Sequence, residues 1–441
     1  MEYFFICKFA YTDFIPLFHS KLNMIKRISS LLWLLLVVLV GHAQVQSTST
    51  LAGSWSGKLD IGLMKLTLVL HLRQNEGYVL VTLDSPDQGA KDIPCFKECL
   101  TNDSVALKVE SINAAFRARL QDDKLVGIFN QNGLSFPLEL TRGVEELKRP
   151  QLPQPPYPYE IEEVTFHNAA DSATLSGTLT YPVGYNPKSR KRPMVVLLIS
   201  GSGQQNRDEE LMEHKPFLVI ADELARQGIA TLRYDDRATG ASVGGDVKNA
   251  TTMDFMRDAA AGIDFLRGLK KFSKVGVLGH SEGGAIAFML GGKGKTDFIV
   301  TLAAPGVQGD TLLAAQTNRI LELYGGIPMM TTDTYRHQQS VVQNPWLRWF
   351  IDYDPSDDIR KTRCPVFALN GDCDCQVISS LNLTAIRRLL PISKKNVVKE
   401  YPSLNHLFQH CTTGLVNEYR EIEETISPEV LSDIAEWIKG L

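Results

Sequence analysis

One ten-residue segment constrains the fold of this chain more than any other part of its sequence. It reads Val275-Gly276-Val277-Leu278-Gly279-His280-Ser281-Glu282-Gly283-Gly284. The apolar run over 274–279 predicts a buried strand, and the residues after the serine predict a helix over 283–290. Small residues at 279 and 283 leave room for a sharp backbone turn between the two elements. The segment therefore predicts a strand, a tight turn and a helix, with the Ser281 hydroxyl at the rim of a parallel sheet.

The chain beyond residue 160 alternates between the same two kinds of segment. Strands are predicted over 160–166, 173–181, 194–200, 229–234, 298–303, 365–369 and 397–401, and helices over 215–227, 252–267 and 428–439. This alternation predicts right-handed crossovers and a mostly parallel sheet flanked by helices. The long insert between Pro305 and Arg363 carries helical stretches and the aromatics Trp346, Trp349 and Phe350. We predict that this insert caps the C-terminal edge of the sheet.

Residues 51–142 follow a different pattern. Short runs of alternating hydrophobicity recur over 65–72, 78–83, 104–110, 116–120, 125–129 and 134–140, with turn residues between them. Such spacing predicts a small sandwich or barrel, and the proline-rich stretch that follows predicts a stiff linker. We therefore predict an all-β domain over 44–145, a linker over 146–158 and a catalytic domain over 159–441 with its cap at about 305–363.

The N-terminus predicts export. From Met24 the chain reads Met-Ile-Lys-Arg, then an apolar run over 31–40, then Gly41-His42-Ala43. A basic start, a short apolar core and small residues at the end are typical of a signal peptide. We predict a leader over 1–43, with the signal peptide over 24–43, and a periplasmic or secreted mature protein; an uncleaved membrane anchor is the alternative. The apolar core is too short to span a bilayer comfortably, so we expect no stable membrane span after cleavage.

Charge and cysteine content argue against several classes of function. The formal net charge is −4, and the basic cluster over 188–192 precedes a predicted strand, which indicates a solvated loop and no nucleic-acid partner. No Cys/His group has zinc spacing, and the glycine-rich segment over 201–203 lacks the rest of a nucleotide-binding fingerprint. We therefore expect neither a metal nor a cofactor. Export permits disulfides, and a bridge from Cys373 or Cys375 to Cys411 stays open, although free thiols are the favoured interpretation.

A serine hydroxyl becomes a nucleophile when a histidine takes its proton and a carboxylate orients that histidine. In a strand–turn–helix setting the order along the chain is serine, acid, histidine. Three histidines follow Ser281, and they are His337, His406 and His410. His406 comes just after the last short strand, where the base is expected, and His410 is its alternative.

The acid should follow a late strand of the sheet. Two aspartates, Asp372 and Asp374, come directly after the predicted strand over 365–369. The loop must reach past the strand end toward the histidine, which favours Asp374, whereas Asp372 suits a turn.

The oxyanion of an acyl-transfer intermediate needs two backbone N–H donors. In this setting one comes from the residue after the nucleophile, Glu282, and the other from the loop after the strand over 194–200. We assign the second donor to Ser202, with Gly203 as the alternative.

Several motifs together resemble those of bacterial two-domain esterases near the serine-aminopeptidase-like branch of the α/β hydrolases. They are Gly201-Ser202-Gly203-Gln204-Gln205-Asn206-Arg207-Asp208-Glu209, His214-Lys215-Pro216-Phe217, Arg233-Tyr234-Asp235-Asp236-Arg237, Asn405-His406-Leu407-Phe408-Gln409 and Asp84-Ser85-Pro86-Asp87-Gln88-Gly89. The resemblance covers nearly the whole chain after the leader. It implies an α/β-hydrolase fold, and carboxylesterase activity on short acyl chains with Ser281, Asp374 and His406 as the catalytic triad.

This chain departs from the family pattern at a few positions. Ala238 stands where the family usually has glycine, the acid loop carries Cys373 and Cys375, and Gln205-Asn206 replaces a more usual pair. These departures bear on loop geometry and substrate preference rather than on the triad. A set of charged residues in the shared motifs is predicted to form a structural ion-pair network; they are Arg207, Asp208, Asp236 and Arg237.

Taken together, these features predict a serine carboxylesterase that cleaves small-molecule esters through an acyl-enzyme. An exopeptidase with the same triad is the alternative, and it would need a charged pocket for an amino terminus, for which Glu322 and Asp333 of the cap are candidates. A ligand-binding module with a vestigial hydrolase domain is the third hypothesis.

Overall fold

The structure, a computed structural model, describes residues 51–62, 65–75, 78–144, 147–340 and 342–441. The predicted leader over 1–43 lies outside these residues. The chain divides into two compact units, one built from residues up to 56, 69–83 and 92–143, and the other from 57–68, 84–91 and 144–441. Within the described ranges, no helix combines the length and apolar character needed to cross a membrane.

The N-terminal region forms one nine-stranded sheet in the order β4-β3-β2-β1-β9-β8-β7-β6-β5. Its strands are β1 (Gly53–Asp60), β2 (Lys65–Asn75), β3 (Tyr78–Ser85), β4 (Ala90–Pro94), β5 (Phe96–Leu100), β6 (Ser104–Val109), β7 (Ala114–Gln121), β8 (Lys124–Gln131) and β9 (Leu134–Arg142). The two edge strands β4 and β5 follow each other along the chain with Cys95 between them. The sheet therefore curls until its edges meet, which gives a nearly closed barrel rather than a sandwich.

Three of these strands have no counterpart in the sequence prediction. β4 and β5 are exposed or half-buried at every position. They therefore lack the alternation of apolar and polar residues from which strands are predicted. The third is β1, in which Trp55 is completely buried.

The C-terminal region is built on a mixed sheet in the order β10-β11-β13-β12-β15-β16-β17-β18, with β14 paired to β11. Its strands are β10 (Ile161–Asn168), β11 (Ala173–Thr180), β12 (Val195–Ile199), β13 (Ala230–Tyr234), β14 (Val243–Gly244), β15 (Val275–His280), β16 (Ile299–Leu302), β17 (Val366–Gly371) and β18 (Val397–Tyr401). From β13 to β18 the pairing is parallel. Strands β12, β13, β15, β16 and β17 are buried at every residue, as expected for a parallel sheet covered on both faces.

Helices cover both faces of this sheet. They are α1 (Pro216–Arg226), α2 (Thr252–Leu269), α3 (Glu282–Gly292), α4 (Gly309–Leu323), α5 (Thr332–Gln339), α6 (Pro345–Asp352), α7 (Ser356–Lys361), α8 (Ser379–Leu389) and α9 (Pro428–Lys439). Alternate residues of each strand point to opposite faces, so one core holds Leu197 with residues of α2, α3 and α8, and the other holds Leu198 with residues of α1 and α9. Helices α4, α5 and α6 of the predicted cap contribute to the second core.

Parallel pairing brings the carboxyl ends of β12, β15 and β17 to one edge of the sheet. The segments that follow these strands begin at Ser200, Ser281 and Asp372. In open α/β sheets this edge is where ligands bind. Ser202, Ser281 and Asp374 follow these three strands, and His406 follows the adjacent parallel strand β18.

Candidate active site

Ser281 sits on a strained turn between β15 and α3. Its backbone has φ 53° and ψ −118°, a region that residues other than glycine enter at a cost of about 1–3 kcal/mol. The Ser281 N–H donates to the carbonyl of Leu302 at 2.8 Å. A Cβ atom at position 279 would lie 2.0 Å from the Gly283 carbonyl oxygen, and one at 283 would lie 2.1 Å from that of Ile199. Glycine is required at both positions because the helix packs directly on the strands.

Asp374 and His406 form a buried hydrogen-bonded pair at the same sheet edge. Asp374 follows β17 and His406 follows β18, and the distance from His406 Nδ1 to Asp374 Oδ2 is 2.8 Å. The other carboxylate oxygen, Oδ1, accepts the backbone N–H groups of Gln376 at 2.7 Å and Val377 at 2.9 Å. These bonds fix the carboxylate, and they leave Nε2 of His406 as the ring nitrogen that can accept a proton.

The alternative acid and bases lie in other surroundings. Asp372 is exposed, and its carboxylate accepts the Ser403 N–H at 2.7 Å, which is the role of a turn residue. His410 is exposed and pairs with Glu424 at 2.8 Å. His337 is exposed on α5. Of these side chains, only Asp374 and His406 contact each other in a buried setting.

The loop after β12 and the start of α3 carry the predicted oxyanion donors. Glu282 is the first residue of α3, where backbone N–H groups have no partner within the helix. In the loop, the Gly201 N–H donates to Glu209 Oε1 at 2.7 Å. That bond occupies Gly201, so Ser202 and Gly203 are the next residues along the loop whose N–H groups are candidates.

The side chain of Glu282 connects three parts of the site. Its carboxylate accepts hydrogen bonds from Thr252 Oγ1 at 2.6 Å and from the indole Nε1 of Trp346 at 2.8 Å. It also accepts one from Ser202. Burial raises the pKa of Glu282, and these three hydrogen bonds offset part of that rise. The sequence singled out Glu282 for its backbone N–H only, because nothing in a linear pattern shows that the cap residue Trp346 reaches it.

Three of the charged residues in the shared motifs form ion pairs. Arg207 bonds Asp235 at 2.8 Å, and Arg237 bonds Asp258 at 2.7 Å. Asp208 pairs with Arg233.

Asp236 differs from these ion-paired residues. Its carboxylate accepts from Ser200 Oγ at 3.0 Å and from the Gln205 N–H at 2.8 Å. Complete burial raises the pKa of Asp236 to about 8, against the lowering effect of those hydrogen bonds. Hydrogen bonds from the oxyanion loop, rather than a salt bridge, satisfy this carboxylate.

The cysteines near the site are free thiols. Cys373 and Cys411 share a hydrogen bond between their side chains. Burial raises the pKa of Cys411 to about 12, and neighbouring Cys373 adds to the rise. Across the described part of the chain, no cluster of three or more His, Cys, Asp or Glu side chains is arranged to hold a metal ion.

Comparison with known proteins gives three kinds of match. Residues 213–389 match the family model described as serine aminopeptidase, S33. The chain is 25% identical over 338 residues to Esterase EstD of Thermotoga maritima, which covers 72% of this chain and 74% of that protein. The Pyrococcus furiosus esterase Pf2001 aligns with 18% identity and a TM-score of 0.43, covering 68% of this chain and 99% of the other. Est1E of Butyrivibrio proteoclasticus, in a structure with bound ferulic acid, aligns with 18% identity and a TM-score of 0.40, covering 63% and 96%.

The family-model match agrees with the geometry. The chain has an α/β-hydrolase fold with a helical cap insert, preceded by a small all-β domain, and this prediction is confirmed. The resemblance to two-domain hydrolases of the serine-aminopeptidase-like branch is confirmed as well.

Proposed function

We propose that this protein is a serine carboxylesterase that hydrolyses small esters with short acyl chains. One observation carries the proposal. The buried Asp374–His406 pair and the strained Ser281 turn lie at one sheet edge, in the chain order that acyl transfer of this type requires. The relationship to Esterase EstD supports the same reaction class.

The arrangement supports a two-step acyl transfer. His406 takes the proton from Ser281 as the hydroxyl oxygen attacks the ester carbonyl, and Asp374 holds the imidazole tautomer and stabilises its charged form. The N–H groups of Ser202 and Glu282 donate to the oxyanion. His406 then protonates the departing alcohol, and a water molecule, activated by the same histidine, releases the acid from the acyl-enzyme.

The family match also allows an exopeptidase that recognises a free amino terminus. Such an enzyme needs a carboxylate that faces the substrate ammonium. Of the cap residues predicted for this role, Glu322 is exposed and pairs with Arg319 at 3.5 Å, and Asp333 is exposed in the first turn of α5. The buried carboxylate of Glu282 already accepts hydrogen bonds from Thr252 and Trp346, so it does not face a substrate ammonium. These contacts favour the esterase.

Side-by-side assays test the choice between the two substrates. We expect p-nitrophenyl acetate and butyrate to be cleaved with a kcat/KM about 100-fold or more above that of aminoacyl p-nitroanilides, because neither exposed cap carboxylate, Glu322 or Asp333, forms a buried ammonium site that would compensate the harder amide bond. An ester series of increasing acyl length then measures the chain-length preference. Faster cleavage of the anilides would overturn the esterase proposal in favour of the exopeptidase.

We also infer that the mature protein is exported to the periplasm or secreted, on the basis of the leader sequence alone. When the chain is produced from Met24 in a bacterial host, the expected mature N-terminus is Gln44, directly after Ala43. Mass spectrometry of the intact protein from each cell fraction checks this. As a control, Leu36→Arg interrupts the apolar core and should keep the protein in the cytoplasm with its leader attached. Retention of residues 24–43 on exported wild-type protein would favour the membrane anchor.

A further inference from the structure

A second acid–histidine pair lies beneath the site and has no part in the acyl-transfer steps above. The distance from His280 Nδ1 to Glu209 Oε1 is 2.9 Å, and both side chains are buried. The same Oε1 atom accepts the Gly201 N–H at 2.7 Å. The other ring nitrogen of His280, Nε2, lies 3.0 Å from the carbonyl oxygen of His406. One pair thus contacts the oxyanion loop and the loop of the proposed base.

The partners of His280 indicate its protonation state. An ionised carboxylate and a carbonyl oxygen only accept hydrogen bonds, so these contacts fit a ring that carries a proton on both nitrogens. Burial alone would lower the pKa of His280, but the charge and hydrogen bond of Glu209, the His406 carbonyl and the charge of Asp374 together raise it above its usual value. The pair has the geometry of a buried ion pair, with side chains that are almost completely excluded from solvent.

We propose that Glu209 and His280 are positioning residues that hold the oxyanion loop and the His406 loop in register with the nucleophile. This inference rests on the proposed function. His280 directly precedes Ser281 on β15, so its ring is anchored to the same strand end as the nucleophile. From there Nε2 holds the backbone of His406, and Glu209 holds the backbone of Gly201. The three parts of the site, which lie on three different loops, share one rigid hydrogen-bonded unit.

If Glu209 and His280 only stabilised the fold, their loss would change different measured quantities. A buried ion pair is weak evidence for stability, because desolvation of its two charges offsets their attraction. If the pair acts only on stability, its loss lowers the unfolding temperature and leaves turnover intact. If it positions the site, its loss lowers kcat, because a displacement of about 1 Å in reacting groups can reduce the rate by about 100-fold.

The test compares amide substitutions in two buried ion pairs. Glu209→Gln and His280→Gln each remove the charge and keep a hydrogen-bonding side chain, and we expect kcat for p-nitrophenyl acetate to fall about 10- to 100-fold with KM changed less than about threefold. The double variant should lose no more than the worse single variant, because the two residues act as one unit. Asp258→Asn is the matched control, since Asp258 is a buried carboxylate paired with Arg237 at 2.7 Å. It should destabilise the fold while kcat stays unchanged.

Two further measurements keep the inference separate from folding defects and from the proposed function. The rate of Ser281 labelling by a fluorophosphonate should fall with kcat in both variants while their circular dichroism spectra stay native. In wild-type protein with ¹⁵N-labelled histidine, both ring nitrogens of His280 should carry protons at neutral pH. A neutral His280 ring, or kcat within twofold of wild type in both folded variants, would overturn the inference. Loss of activity in Ser281→Ala would then still support the esterase.

Discussion

Replacement of Ser281 by alanine is expected to lower kcat for p-nitrophenyl acetate by about a millionfold. The hydroxyl is the attacking group, and neither His406 nor the oxyanion donors can supply a substitute for it. The fold should persist, because alanine retains the Cβ atom that the backbone at φ 53° already accommodates. Steady-state assays together with thermal unfolding of the same sample measure both quantities.

Covalent labelling separates loss of the nucleophile from other causes. A fluorophosphonate should add one label per wild-type chain, on the peptide that contains Ser281, and none to Ser281→Ala. Ser273→Ala is the matched control, because Ser273 is exposed and lies two residues before the opposite end of β15, where its hydroxyl donates to the Pro193 carbonyl at 3.2 Å. It should label and turn over like wild type. An unlabelled wild-type protein would favour the binding-module hypothesis, and an active Ser281→Ala variant would contradict the proposed nucleophile.

The second large effect is expected for Asp374→Asn, with a loss of kcat of about 10³- to 10⁴-fold. An amide at 374 can donate a hydrogen bond to Nδ1 of His406. Nδ1 then serves as the acceptor and Nε2 keeps the proton, so the ring is in the wrong tautomer to act as a base. The backbone N–H groups of Gln376 and Val377 can still bond the amide oxygen, which limits the damage to the loop.

Asp372→Asn is the matched control for this experiment, two residues away in the same loop. Asp372 is exposed, and an asparagine oxygen can replace the carboxylate as acceptor for the Ser403 N–H. Its kcat should stay within about twofold of wild type, as is usual for surface substitutions away from the chemistry. A large loss in Asp372→Asn with a small loss in Asp374→Asn would exchange the two assignments. Equal losses of kcat would indicate that the conformation of the loop, rather than the carboxylate of Asp374, determines activity.

The sequence predicts the bounds of several elements of the catalytic region to within one residue. β18 and α9 begin and end at the predicted residues, and β15 is displaced by one residue. The apolar run of β15 is a strong signal because every residue of that strand is buried, and the periodicity of α9 is one because its apolar residues form a single buried face. Helix α8 is missing from the prediction, because its polar residues at 379, 380 and 382 follow directly on the acid loop and conceal the start of the periodic pattern.

Some residues of the candidate site can be predicted from the sequence, and others cannot. Ser281, Asp374 and His406 can be named from motif and chain order, since each follows a strand whose position is readable. Glu209 and His280 are separated by 71 residues, and a glutamate in a charged loop gives no sign that it is buried. The bond from Trp346 to Glu282 spans 64 residues and starts in the cap. Such contacts depend on how loops fold over the sheet, which no local pattern encodes.

The curling of the β domain has a consequence for its behaviour at high concentration. An open sheet presents a row of unpaired N–H and C=O groups along each edge, and such rows recruit strands from neighbouring molecules. Here the chain from Ala90 to Leu100 pairs with β3 through its first half and with β6 through its second. The two edge strands, β4 and β5, are thus consecutive parts of one bent segment. The domain therefore offers other chains few backbone groups that could template aggregation.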